Sequence, residues 1–172
     1  KAKVEGIMGA YNRVNGEPSC ASEFLMGKLD KWGFDGYFVS DCWAIRDFHE
    51  HHLVTSSPVE SAAMALKAGC NVNCGCTYVH LLSALDKGLV TEDEIRASCV
   101  ALMRTRIRLG MFDKSTEYDN IPYSVVSCPE HKAVSYQCAV KSMVLLKNKV
   151  ILPLDKKSIS TIAVIGPNAD SR

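Results

Sequence analysis

Apolar positions along the chain come in short blocks, punctuated by glycines and polar runs. Residues 4–11, VEGIMGAY, read as a first strand. The loop NRVNGEP follows over 12–18 and carries an Asn-Gly turn signal. Residues 22–31 read as a helix, with Ser22 suited to the N-cap and Phe24, Leu25 and Leu29 forming one apolar stripe. Asp35-Gly36 marks a turn. Tyr37, Phe38 and Val39 then make a β-prone apolar run that stops at Ser40 and Asp41. A polar loop covers 49–58, and an Ala-rich helix is predicted over 59–68, stopped by Gly69.

Residues 70–74, CNVNC, read as a short third strand closed by Gly75. A helix is predicted from about 78 to 87. Another begins at Thr91 with a capping box through Glu94 and runs to about 109, with Ile95, Cys99, Leu102, Met103 and Ile107 at helical spacing. After a polar connector over 111–122, Pro129-Glu130 opens a further helix carrying Ala133, Val134, Cys138 and Ala139. Leu152-Pro153-Leu154 is a turn, and 161–165 reads as a buried strand leading into Gly166-Pro167. Strands alternating with helices at glycine-marked joints predict parallel βα units. The later connector and new strand predict the start of a second α/β unit.

Length and composition fit a globular protein: 172 residues, 47% hydrophobic and 23% charged. A net charge of +1 provides no electrostatic attraction to nucleic acid or anionic lipid. No apolar run reaches the ~18 residues of a membrane span. The chain opens on KAKVEGIMGAY, with neither an initial Met nor a signal-peptide pattern, and reads as a piece of a longer protein. At 172 residues it is too short to close an eight-stranded barrel, which takes about 250. Eight cysteines sit in an ordinary core-forming sequence. Most read as reduced, which favours a reducing, cytoplasmic compartment.

A buried parallel strand that ends in a polar residue delivers that residue to the edge where α/β sheets carry their chemistry. Asp41 is therefore the leading catalytic candidate, although from the pattern alone it serves equally as the N-cap of the next helix. Tyr11 also ends a strand. If the two strands are neighbours, its hydroxyl reaches the Asp41 carboxylate; otherwise it is a strand-end aromatic. The cluster His49-Glu50-His51-His52 does not have HExxH spacing and reads as loop-rim residues more readily than as metal ligands. Cys70, Cys74 and Cys76 contain no CxxC pair, so packed thiols are the default over zinc. Walker A, GxGxxG and GxSxG patterns are absent from the sequence.

Taken together, an ordered set of motifs resembles glycoside hydrolase family 3: MGAYNRVNGEP, GYFVSDCWAI, ESAAMALKAGCNVNCG, GLVTEDEI, RTRIRLGMFD, SMVLLKN, LPL and IAVIGPNAD. The resemblance covers essentially the whole chain and is nearest to bacterial β-xylosidase- and β-glucosidase-like members. It implies an α/β fold: residues 1–112 as the last βα units of a TIM-like (β/α)8 barrel, 113–140 as linker and connecting helix, and 141–172 as the start of an α/β-sandwich domain with its first strand. It implies Asp41 as catalytic nucleophile, Tyr11 as the residue orienting it, Met8 lining the sugar pocket, and Cys42 and Trp43 shaping the first sugar subsite. The implied reaction is retaining hydrolysis of a β-linked oligosaccharide or aryl glycoside by an exo-acting enzyme, with the two carboxyl groups about 5–5.5 Å apart. The acid/base and the residues gripping the sugar hydroxyls fall outside the chain, so its first partner is the rest of the same protein. No cofactor or metal is implied. Three strands leave an open parallel edge, which favours association, including a homo-oligomer. A non-catalytic fragment or interaction module of a family 3 protein is the alternative reading. Three places depart from the family pattern: Asn71 stands where relatives often have Asp, 148–151 lacks a glycine before LPL, and 22–32 matches loosely.

Overall fold

The computed structural model describes residues 3–171. The chain divides into two units, one ending at Thr116 and the other beginning at Glu117.

The first unit is built on two parallel strands, β1 (Gly6–Gly9) and a later one, Tyr37–Ser40. Between them the Asn-Gly turn closes a small antiparallel hairpin of β2 (Arg13–Val14) and β3 (Glu17–Pro18). Asn15 and Gly16 both take positive φ (52° and 90°), as a two-residue hairpin turn of this hand requires. Helix α1 (Glu23–Lys31) follows, and the Ser22 hydroxyl accepts the Leu25 N–H at its start.

The Tyr37–Ser40 strand, β4, pairs with β1 so that Ile7 lies opposite Phe38 and Met8 opposite Val39. Pairing starts at the Tyr37 N–H, which donates to the Glu5 carbonyl at 3.0 Å. A Cβ on Gly36 would overlap that same carbonyl, so the close strand approach requires glycine there. The third strand expected over 70–74 is reduced to a single bridge, Val72 to Val39. Its residues turn away because Asn73 and Cys74 bond to Ser40 instead of continuing the ladder.

Helix α2 (Asp47–Glu50) is one turn long, too short to persist on propensity alone. It is held by burial of Phe48 and the preceding Ile45, each contributing roughly 1.5–3 kcal/mol. Helix α3 (Pro58–Lys67) is capped by Ser57 and lies between two cores. Ala65 faces a core with Phe38, Ile45 and Phe48; Ala63 and Leu66 face another with Ala84 and Val90. The helix predicted over 78–87 divides into a 3₁₀ turn, Thr77–His80, and α4 (Leu81–Asp86). Helix α5 (Glu92–Arg108) has the expected Thr91–Glu94 capping box.

Helix α5 braces the strands from one end. Asn71, flagged as a departure, accepts the Phe38 N–H at 2.8 Å and donates to Ser98 on α5. The amide thus bonds to both neighbours. Thr105 and Arg108 both donate to the Glu5 carboxylate, at 2.7 and 2.8 Å. The Thr105 hydroxyl foremost, and then the Arg108 guanidinium, hold the Glu5 carboxyl below its usual 4.5. A depressed carboxylate stabilises the fold above its ordinary pKa and loses that contribution as pH falls through the lowered value. Glu5→Gln therefore lowers the melting temperature at neutral pH, and the gap from wild type narrows at a pH below the lowered Glu5 value. An equal gap at both pH values, measured by thermal unfolding, would remove Glu5 from the account.

The second unit consists of two 3₁₀ turns, Glu117–Asn120 and Tyr123–Val125, and helix α6 (Pro129–Ser142). Residues 143–171 contain no helix or strand. The buried strand expected over 161–165 is not formed, and Ile162, Val164 and Ile165 are exposed. Among the described residues no strand pairs with this segment, and a lone strand can satisfy neither its backbone groups nor its apolar side chains.

Candidate active site

Asp41 stands one residue beyond the carboxyl end of β4. Its N–H donates to the Gly9 carbonyl at 2.9 Å, which continues the β1–β4 pairing past the last strand residue. Its carbonyl accepts the Ala44 N–H at 3.1 Å, so the chain turns at once toward α2. Its carboxylate Oδ1 accepts the N–H of Cys42 at 2.7 Å. Asp41 therefore ends the strand pairing and caps the turn that follows, but it is not the N-cap of the next helix, a position that Arg46 takes in α2 without a side-chain cap.

Tyr11 lies two residues beyond the end of the neighbouring strand β1, with its phenol beside the Asp41 carboxylate. Partial burial raises the phenol above its usual 10, and the neighbouring Asp41 carboxylate and the charge of Asp47 raise it further. The phenol therefore stays protonated at neutral pH and beyond its ordinary range.

Side chains alternate along a strand, so Val39 and Asp41 share one face, opposite to Phe38 and Ser40. Met8 pairs with Val39 and lies on that face, which is largely open: Met8 is 62% exposed. Asp41 and Met8 thus share one side of the sheet, and Tyr11 stands beside Asp41 just beyond the strand ends. An apolar trough of about 580 Å³ runs along the unpaired side of β1, lined by Met8, Phe24, Leu29 and Trp32 among others.

Cys42 and Trp43 are placed differently. Cys42 is joined to Cys74 by a disulfide, with Cα atoms 4.5 Å apart. Trp43 takes φ of 69°, a conformation that bulky residues avoid. Its ring lies under the Arg46 guanidinium and lines a cavity of about 200 Å³ with His49, Cys76 and His80. Asp41 does not line that cavity. The other six cysteines carry free thiols. A disulfide persists in oxidising surroundings, so the cysteines as a set no longer argue for a reducing compartment.

The histidine cluster is taken up locally. His49 Nδ1 pairs with the Ser61 hydroxyl and His51 Nδ1 with Asp47, both within 2.9 Å. His52 stacks on Phe48. Among the described residues, no three His, Cys, Asp or Glu side chains converge where a metal ion could sit.

Three residues around Asp41 were not singled out from the sequence for this site: Ser40, Asn73 and Cys74. The buried Ser40 hydroxyl accepts the Cys74 N–H at 2.9 Å and the Asn73 side-chain amide at 3.2 Å. No spacing rule ties positions more than thirty residues apart in the chain, so only the fold reveals them.

Comparison with known proteins bears on this arrangement. The sequence profile of the glycosyl hydrolase family 3 N-terminal domain matches residues 1–105. The chain belongs to glycosyl hydrolase family 3. Among curated relatives of this family 3 chain, probable beta-D-xylosidase 7 of Arabidopsis thaliana is 42% identical over 98% of the chain. A xylan 1,4-beta-xylosidase of Xylanibacter ruminicola is 41% identical over 98%. The chain spans only 23% and 20% of those two proteins' lengths. Among solved structures, a family 3 exo-beta-xylosidase (XlnD) in complex with a xylobiose aziridine activity-based probe superposes with a TM-score of 0.80 at 34% identity. That match covers 90% of this chain and 21% of the solved one. A beta-glucosidase of Erythrobacter marinus superposes at 0.73 with 29% identity, covering 90% and 21% respectively. These likenesses establish an α/β glycoside hydrolase domain in this family 3 chain. They include plant and bacterial proteins, a wider range than the bacterial branch expected from the motifs.

Proposed function

We propose that this chain carries the nucleophile of a retaining, exo-acting β-glycosidase that prefers β-xylosides. The observation that carries the reading is the placement at the strand ends: a carboxylate directly after β4, held by the Cys42 N–H, with a tyrosine from just beyond β1 beside it. A carboxylate with a fixed backbone donor and an open face in front of it can attack an anomeric carbon and form a glycosyl-enzyme. Asp41 is that nucleophile and Tyr11 orients it. Met8 lines the sugar pocket on the same face, and Cys42 and Trp43 shape its edge. The second carboxyl group, which protonates the leaving oxygen and then activates water, comes from outside this chain.

The chain's share of the fold follows the same reading. Residues 1–112 are the last βα units of a (β/α)8 barrel, 113–140 a linker and connecting helix, and 141–172 the start of an α/β-sandwich domain. The unpaired side of β1, with its apolar trough, supports a further strand and helix from the same protein packing there. The sugar preference rests on the relatives: those at 35–42% identity are named β-xylosidases, whereas the solved β-glucosidases stand at 23–29%.

Hydrolysis of aryl β-xyloside and aryl β-glucoside by the full-length protein, followed by NMR, tests the reading. The xyloside is the faster substrate and β-xylose is the first anomer released. Release of the α-anomer first contradicts a retaining nucleophile. Exclusive turnover of the glucoside contradicts the sugar assignment.

A further inference from the structure

One residue brackets the Asp41 turn from both sides. Cys74 gives its N–H to the Ser40 hydroxyl at 2.9 Å, its sulfur to Cys42, and its carbonyl to the Trp43 N–H at 2.7 Å. Residues 40, 42 and 43 are therefore all fastened to Cys74. Asp41, between them, is fastened to Gly9. The Cys74 loop is anchored in turn: the Asn73 side-chain oxygen accepts the Tyr78 N–H, and the Tyr78 hydroxyl donates to the Cys70 carbonyl. Gly75 fits directly against Trp43, where an added Cβ would lie 3.3 Å from the Trp43 nitrogen.

Trp43 is held in a left-handed conformation. Such a conformation persists only where its surroundings over-determine it. Opening the bridge removes one of the two fastenings next to that residue. The Cys42–Trp43 segment can then relax toward ordinary φ, which turns the Cys42 N–H away from the Asp41 carboxylate it now meets at 2.7 Å. The carboxylate loses its fixed donor, while the Gly9 and Ser40 fastenings keep the strand end in place.

We infer that Cys74 is a positioning residue for Asp41, and that the Cys42–Cys74 bridge sets the turnover rate of each folded enzyme molecule as well as bracing the fold. The inference rests on the reading of Asp41 as nucleophile. It also makes activity responsive to thiol reductants. A dithiol such as dithiothreitol closes to its own cyclic disulfide, and its two electrons and two protons convert the bridge to the thiols of Cys42 and Cys74.

The test uses the full-length protein in three forms: oxidised wild type, wild type reduced with dithiothreitol, and the double variant Cys42→Ser with Cys74→Ser. Competent sites are counted with a 2-deoxy-2-fluoro-xyloside inactivator, and kcat is expressed per titrated site. A misplacement of this kind lowers kcat per site by about 10–100-fold and leaves KM within about threefold. The double variant shows the same loss and no further response to dithiothreitol, and reoxidation with glutathione disulfide restores the reduced wild type. Unchanged kcat per site in the double variant overturns the inference. So does a loss of activity that only tracks a loss of titratable sites, since the bridge is then purely structural. If Asp41→Ala keeps wild-type activity, it is the nucleophile reading that fails, whatever the bridge does.

Discussion

Replacing Asp41 by Ala in the full-length protein lowers kcat/KM on an aryl β-xyloside by on the order of 10⁴–10⁶-fold, the scale seen when a covalent nucleophile is removed. Methyl for carboxylate is a small change at a strand end, so the fold survives. Thermal unfolding that matches wild type verifies that. What the variant loses is the group that displaces the aglycone, and what it gains is a void on that face of the sugar. Azide can enter the void and attack the anomeric carbon of a substrate with a good leaving group, such as a dinitrophenyl xyloside. The product is the α-xylosyl azide, and the rate rises with azide concentration. Failure of azide to restore turnover, with the fold intact, would point to Asp41 acting on structure instead of on the anomeric carbon.

Tyr11→Phe has the next largest effect. The ring stays and the hydroxyl goes, so the Asp41 carboxylate keeps the Cys42 N–H and loses the phenol beside it. Expected is a fall in kcat of about 10–100-fold with little change in KM, because a misaligned nucleophile weakens attack more than sugar binding. The pH dependence separates two roles for the phenol. Partial burial and the neighbouring carboxylates push its ionisation above the usual 10. A phenol raised above its usual value does not titrate below pH 10. The alkaline limb of kcat/KM below pH 10 therefore has the same midpoint in wild type and Tyr11→Phe. A limb present in wild type and missing in the variant would make Tyr11 a titrating acid, contrary to this account.

How much of this was legible in the sequence depends on how local each signal is. The run Tyr37–Ser40 was expected as a strand at the same residues that form it, because its apolar block is bounded by Asp35-Gly36 before and Asp41 after. The Thr91–Glu94 capping box was equally plain, since capping depends on side chains three residues apart. Segments whose fate depends on distant partners were misjudged. The CNVNC run has strand-like residues, but Asn73 and Cys74 bond to Ser40 and Cys42, and only Val72 joins the sheet. The 161–165 run shows the composition of a buried strand. Composition expresses a need for partners without supplying them, and no strand among the described residues pairs with it.

The site divides along the same line. Asp41 and Tyr11 were readable as strand-end residues, and their motifs matched a known family. That Cys42 is bound into a bridge was not readable, because its partner lies 32 residues away and six other cysteines compete on paper. The Trp43 conformation is likewise a product of the Cys74 and Gly75 packing, not of the dipeptide itself.

The central claim is that Asp41 forms the covalent bond to the sugar, and trapping that bond tests it most directly. The full-length protein is inactivated with a 2-deoxy-2-fluoro-β-xyloside, digested and mapped by mass spectrometry. The account predicts one equivalent of fluoroxylosyl label on the peptide that contains Asp41, with fragmentation assigning it to that residue. A label on any other carboxylate, or stoichiometric inactivation that leaves the Asp41 peptide unmodified, would contradict it.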